Sequence, residues 1–160
     1  MTKTNLEVRI ATLNDIESMV NFWLDSAHFH GQIDSRFQFA REAAEATRNY
    51  FSSQIHLDNF MAFIASIGDE DVGFIEARVT EKPPIHVHRK IGFISALFVK
   101  PEERRKGVGI LLYEMVRDWF EAQNIKKFQL AVASMNPLGL EFWRKIGFRQ
   151  LMLQMELMNE

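Results

Sequence analysis

The sequence predicts a mixed α/β fold, a sheet with helices on its faces, and three features predict it. Short runs rich in Ile, Val, Phe and Leu, bounded by turn residues, read as strands. Longer stretches between them place apolar residues at i, i+3 and i+4, the spacing of one helix face. Their order, β-α-α-β-β-β-α-β-α-β, joins a hairpin-built half to a βαβ half. No repeat, low-complexity tract or long linker interrupts the 160 residues, so a single domain over 1–160 is expected.

Taken in order, Leu6, Val8 and Ile10 alternate with polar residues as a half-buried strand does. Asn14 followed by Glu17 resembles a capping box, and Ile16, Met19, Val20, Trp23 and Leu24 then share one helix face. His28 to Phe39 reads as a polar and aromatic loop, and residues 40–56 as a second helix with Ala40, Ala43, Ala44, Thr47 and Phe51 inward. Phe60–Ile67, a turn at Gly68–Asp71, and Val72–Thr80 form an antiparallel hairpin. Pro83-Pro84 breaks the pattern before a strand at Ile91–Val99. The clearest helix comes next, with Val108, Leu111, Leu112, Met115, Val116, Trp119 and Phe120 on one face, Gly107 at its start and Asn124 near its end. Lys127–Ala133 reads as a strand, Pro137–Ile146 as a short helix and Phe148–Leu157 as a last strand.

Composition narrows the function classes. A hydrophobic share of 47% with 25% charged residues is that of a globular protein. A net charge of −2 and a pI near 6.2 supply no field that would draw the chain to nucleic acid or a membrane surface. The absence of cysteine excludes disulfides, thiolate metal sites and a cysteine nucleophile. Met1 to Glu7 lack an apolar leader core, and no run nears the ~18 apolar residues of a membrane span, so a cytoplasmic protein is expected.

One segment carries chemistry. Arg104-Arg105-Lys106-Gly107-Val108-Gly109 lies where a strand and turn give way to the main helix. A helix start leaves backbone N–H groups without intrahelical partners and carries positive dipole character, which makes it an anion site. Gly107 and Gly109 remove side chains where an anion must approach the backbone, and three basic residues surround the point. The segment lacks the Lys-Ser/Thr ending of a P-loop, and Leu112 replaces the third glycine of the dinucleotide fingerprint. A solvated basic turn is the plain alternative.

Arg104-x-x-Gly107-x-Gly109 resembles the acyl-CoA signature of the GNAT superfamily, the general-control-related N-acetyltransferases. Val99-Lys100-Pro101-Glu102 before it is similar to that family's exit from its fourth strand, and Asn136 to Gly147-Phe148 is similar to its second motif. The resemblance implies a mixed, mostly antiparallel sheet whose fourth and fifth strands splay, with helices on both faces. It implies acetyl-CoA as cosubstrate and no metal. The backbone of Leu97, Phe98 and Val99 would hold the acetyl carbonyl and pantetheine arm, and N–H groups across Arg104, Arg105, Lys106, Gly107, Val108 and Gly109 would cradle the pyrophosphate. Asn136 would bind the pantetheine or orient the next helix, and Phe142 and Trp143 would lie beside the coenzyme near the thioester. The acceptor implied is a primary amine of a small molecule or peptide, with no nucleic-acid or membrane partner. A homodimer is compatible with both the resemblance and several apolar strands.

Two positions depart from the family's pattern. Trp143 stands where many relatives place a proton-donating tyrosine, and Ser95 where many place a glutamate base. These departures keep open a second class, an acyl-CoA-binding regulatory module without catalysis. A thiol has a reference pKa of ~8.5, so a thiolate can leave without obligatory protonation. Glu76, mid-strand, is the candidate base, the alternative being the solvent face of a half-exposed strand. His86 with His88, and His28 with His30, would share a face if extended and raise a metal reading that the absent cysteines weaken. Tyr113 could supply a hydroxyl, although its helix position favours packing. Acceptor recognition is expected from His28–Phe39, where Asp34 could pair with a cationic amine or cap the turn before Arg36.

Overall fold

The computed structural model describes residues 5–159; Met1–Thr4 and Glu160, and with them most of the polar Met1–Glu7 segment, lie outside it. The elements run β1 (Leu6–Ile10), α1 (Ile16–Ile33), α2 (Ala43–Gln54), β2 (Phe60–Ile67), β3 (Glu70–Glu81), β4 (Lys90–Val99), α3 (Val108–Ala122), β5 (Phe128–Leu130) and α4 (Pro137–Ile146). One sheet of order β1-β2-β3-β4-β5 holds all five strands, antiparallel up to β4, with β5 parallel to β4. The parallel pair is joined through α3, as a crossover connection requires.

The two sheet faces are both covered. Against one, α3 places Val108, Leu112, Val116 and Phe120, all buried, over Phe63, Ile75, Ala77 and Ile94. Against the other, α1 and α2 place Met19, Val20, Phe22 and Phe51 over Ile64, Phe74 and Phe98. Phe22 stacks on Phe74 with ring centroids 5.7 Å apart.

Strand β4 is irregular along both of its edges. Glu76 pairs with Ala96 and Ala77 with Ile94, so Ser95 has no partner on β3 and bulges out of the ladder. Ile94 before the bulge faces α3, whereas Ala96 and Phe98 after it face α1 and α2. On the other edge, β4 pairs with β5 only from Gly92↔Phe128 to Ile94↔Leu130. Beyond Ile94 the strands part, which is the expected splay.

The structure corrects four local expectations. Helix α1 does not end before His28: it runs to Ile33, because the polar stretch makes one-turn contacts that continue a helix. His30 Nδ1 lies 2.7 Å from the Ser26 carbonyl oxygen, and His28 Nε2 lies 3.1 Å from Gln32 Nε2. The capping box is built by Thr12 and Asp15 around a single 3-10 turn (Leu13–Asp15), not by Asn14 and Glu17; the Thr12 N–H donates to Asp15 Oδ2 at 2.7 Å. The fifth strand is three residues rather than seven, since β4 and β5 diverge. No strand forms over Phe148–Leu157. Apolar spacing alone does not make a strand: the segment pairs with no neighbour although β5 is an edge strand, and Leu151, Met152, Leu153, Met155, Leu157 and Met158 are 69–90% exposed.

Candidate functional site

A cleft of about 1220 Å³ opens where β4 and β5 part. Of the residues singled out by sequence, Leu97, Phe98, Val99, Arg104, Arg105, Gly107, Gly109, Asn136, Phe142 and Trp143 line it together, with Ser95. Lys106 and Val108 do not: Lys106 pairs with Glu103 at 3.1 Å, and Val108 is buried in the core beneath α3.

The turn into α3 explains why these residues meet. Arg105 and Gly107 adopt positive φ, 61° and 88°, which reverses the chain onto the helix axis. A Cβ at Gly107 would meet nothing within 4 Å and would extend into open space, while the left-handed backbone itself disfavours a side chain. A Cβ at Gly109 would lie 3.2 Å from the Phe142 ring, so this glycine lets α4 approach the first turn of α3. Arg104 is spent on structure: its Nε donates to the Val99 carbonyl at 3.0 Å, and its guanidinium lies over Phe29 and Phe98. Arg105 is exposed and makes no ion pair among the described residues, so its charge is available to the cleft. The end of the cleft is thus a helix N-terminus with a bare backbone and a free guanidinium, which suits a pyrophosphate.

The far wall is α4. Asn136 Oδ1 accepts from the Gly139 N–H at 3.0 Å, capping the helix, while its Nδ2 faces His30 Nε2 at 3.5 Å. Trp143 packs edge-on against Phe142, Tyr113 and Phe148. Tyr113 therefore serves packing, and its hydroxyl is not on the cleft lining.

Glu76 is not on a solvent face. It is 4% exposed, on the α1–α2 side of β3, and its cross-strand partner Ala96 lines the cleft. Burial pushes its carboxyl up to about 7, against the opposing pull of the Arg78 charge and of the Tyr50 hydroxyl, which donates to Oε2 at 3.5 Å. A carboxylate near neutrality beside a cleft can exchange protons at physiological pH. Arg78 sits over the Phe93 ring, with its Nε buried and without a hydrogen-bond partner. Sequence reasoning missed Tyr50 and Arg78. The inward stripe ending Thr47 and Phe51 brackets Tyr50, and Arg78 shares the face of Glu76 two residues on.

At the acceptor end, Asp34 is committed to the turn, accepting from the Arg36 N–H at 3.1 Å and from its guanidinium at 2.6 Å. Trp23, Phe29, Phe37 and Phe39 line the cleft there, Trp23 and Phe39 packing edge-to-face with centroids 4.9 Å apart. Met152–Glu156 line it from the C-terminal side, a contribution the strand reading did not anticipate. The histidines do not converge: His28 and His30 point along different helix faces, and His86 and His88 are exposed. Among the described residues no three His, Asp or Glu side chains gather as a ligand set, and no helix is long and apolar enough to cross a membrane.

Known proteins share the sequence pattern and the fold. An uncharacterized N-acetyltransferase of Archaeoglobus fulgidus is 29% identical over 145 residues, 91% of this chain and 94% of the relative. A tetramutant of the BH1408 protein from Bacillus halodurans shares the fold at TM-score 0.86 and 20% identity, covering 96% of this chain and 99% of that one. A predicted acetyltransferase from Clostridium acetobutylicum, solved with acetyl-CoA, superposes at TM-score 0.77 and 19% identity over 95% of each chain. Residues 21–148 match the profile described as the Acetyltransferase (GNAT) family, and with four-fifths of its length inside that match the chain belongs to this family of acetyl-CoA-dependent acetyltransferases.

Proposed function

We propose that this enzyme transfers the acetyl group of acetyl-CoA to a primary amine, with Glu76 as the base. The observation that carries the reading is the cleft between β4 and β5, which runs from the open helix end at Gly107 to the neighbourhood of Glu76. Bound acetyl-CoA supplies an activated acetyl thioester. Along the edge of Leu97–Val99 turned away from β3, backbone groups that β5 no longer pairs offer donors and acceptors for an amide-bearing arm, while the Val99 carbonyl is taken by Arg104. Backbone N–H groups from Lys106 to Gly109, with the Arg105 guanidinium, hold the pyrophosphate; the side chains of Lys106 and Val108 take no part. Phe142 and Trp143 flank the arm, and Asn136 fixes α4.

The amine must lose a proton to attack the thioester carbonyl. Glu76 accepts it by way of water beside Ala96 or of the Tyr50 hydroxyl, the new C–N bond forming as the C–S bond breaks. Charge developing on the carbonyl oxygen is met by a β4 N–H. The thiolate departs without a side-chain acid, so Trp143 in place of tyrosine is no obstacle.

Thiol release from acetyl-CoA across a panel of amines tests the reading. Turnover on any member supports it, and tight coenzyme binding without turnover would favour the regulatory-module alternative. Dependence on acetyl-CoA favours a cytoplasmic location. The exposed apolar residues of 151–158 favour a homodimer, which sedimentation checks by mass.

A further inference from the structure

The acceptor end of the molecule has a second chamber. A recess of about 370 Å³ lies between α1 and α2, lined by Trp23, Phe39, Ala43, Thr47 and Tyr50 with small residues between them. Trp23 and Phe39 belong to both the recess and the main cleft, so their edge-to-face pair is the wall the two share. Tyr50, at the other side of the recess, is the residue that donates to Glu76. The recess therefore adjoins the cleft at one wall and the buried carboxylate at another. The recess is a groove open to solvent rather than an enclosed cavity, and its volume admits one aromatic ring.

Its chemistry is one-sided. The recess wall has two polar side chains, Thr47 and Tyr50, and no charged one. In the cleft beside it Asp34 is occupied by Arg36, while Glu141 and Glu156 line the cleft without an ion pair among the described residues. Glu76 is buried behind Tyr50. An ammonium group is thus met by carboxylate in the cleft, whereas in the recess it would be buried without a partner, which is costly.

Resting on the acetyltransferase reading, we infer that the acceptor is a primary amine with an apolar, ring-bearing body, whose ring packs in the open recess against Trp23, Phe39 and Tyr50 while its amine reaches over the Trp23–Phe39 edge into the cleft. Aromatic walls suit such a ring, which gains from edge and face contacts beyond its burial.

Calorimetry of phenethylamine against the protein saturated with coenzyme A reads the recess without requiring turnover. Binding is expected, at least 10-fold tighter than that of ethylamine, which lacks the ring. Ala43→Phe, which fills the recess from the partly exposed start of α2, should weaken it 10-fold or more while coenzyme A affinity and the circular dichroism spectrum stay unchanged. Trp23→Ala should do likewise. Absence of phenethylamine binding, equal or tighter binding of ethylamine, or indifference to Ala43→Phe would each overturn the inference. Phenethylamine binding that Ala43→Phe abolishes, with no thiol released from acetyl-CoA, would sustain the recess and defeat the acetyltransferase reading instead.

Discussion

The two ends of the cleft are built by different means. The coenzyme end is made of backbone: an unzipped strand edge from Ser95 to Val99, a helix start, and two glycines that keep side chains away. The acceptor end is made of side chains, the aromatics of α1 and of the segment after it, with Tyr50 and Glu76 behind them. Backbone recognition constrains few residue types but constrains them tightly. Side-chain recognition tolerates many solutions, so it leaves little trace in a single sequence.

Substitutions at each end would break or sharpen this contrast. The largest effect is expected at the acceptor end. Glu76→Gln should lower kcat/KM by roughly 10²–10⁴ and flatten the rise with pH that the unaltered enzyme shows through about 7. Linkage adds a readout that no purely catalytic role would give. The folded-state carboxyl titrates above its unfolded value, so its neutral form is favoured by folding and stability falls as pH rises from the unfolded pKa through about 7. Glu76→Gln removes that loss and should raise stability at pH 8 by roughly 3 kcal/mol; an unfolding midpoint that is lower at pH 8 than that of the parent would contradict the burial argument.

At the coenzyme end, Gly107→Trp should weaken coenzyme A binding about 100-fold, by filling the space before the helix N-terminus. Unchanged affinity would mean that the pyrophosphate site lies elsewhere. The paired variants Arg105→Ala and Arg104→Ala separate charge from architecture. Arg105→Ala should cost about 5- to 10-fold in coenzyme affinity, more at low salt, with little change in stability. Arg104→Ala should instead lower stability by about 1–2 kcal/mol through the lost bond to Val99 and the lost aromatic contacts. If both behave alike in salt titration and denaturation, the assignment of roles is wrong. The smallest effect belongs to Tyr50→Phe. Losing a hydroxyl that donates to the carboxylate should move the pH–rate midpoint upward by about half a unit; a downward move would exclude that bond from the active form.

The same contrast governs what the sequence reveals. Strands β2 to β4 and helix α3 are legible because their apolar runs and periodicity report burial directly. The Gly107–Gly109 segment is legible because a left-handed φ favours glycine at 107 and the Phe142 ring favours it at 109. Helix α1 beyond Leu24 is not, since Ser26, His28, His30 and Gln32 have the composition of a loop and reveal a helix only through contacts one turn apart. The segment 148–157 misleads in the opposite direction, because alternation of apolar residues states what a strand needs on its faces and nothing about whether it pairs along its edges. Glu76 stands out as a carboxylate in an apolar run, yet its burial depends on Tyr50, 26 residues away.

The unpaired Ser95 in β4 works like a spacer in a reading frame. Upstream of it, even-numbered side chains face α3; downstream, odd-numbered ones do. Excising Ser95 would restore a regular ladder and leave every other side chain on its present face, because Ile94 and Ala96 already pair with the adjacent Ala77 and Glu76; only the local bend of β4 would be lost. Adding or removing a residue within Ala96–Val99 would, by contrast, exchange the α3 face for the α1–α2 face along the rest of the strand, so core packing and the peptide groups offered to the cleft share a single phase there.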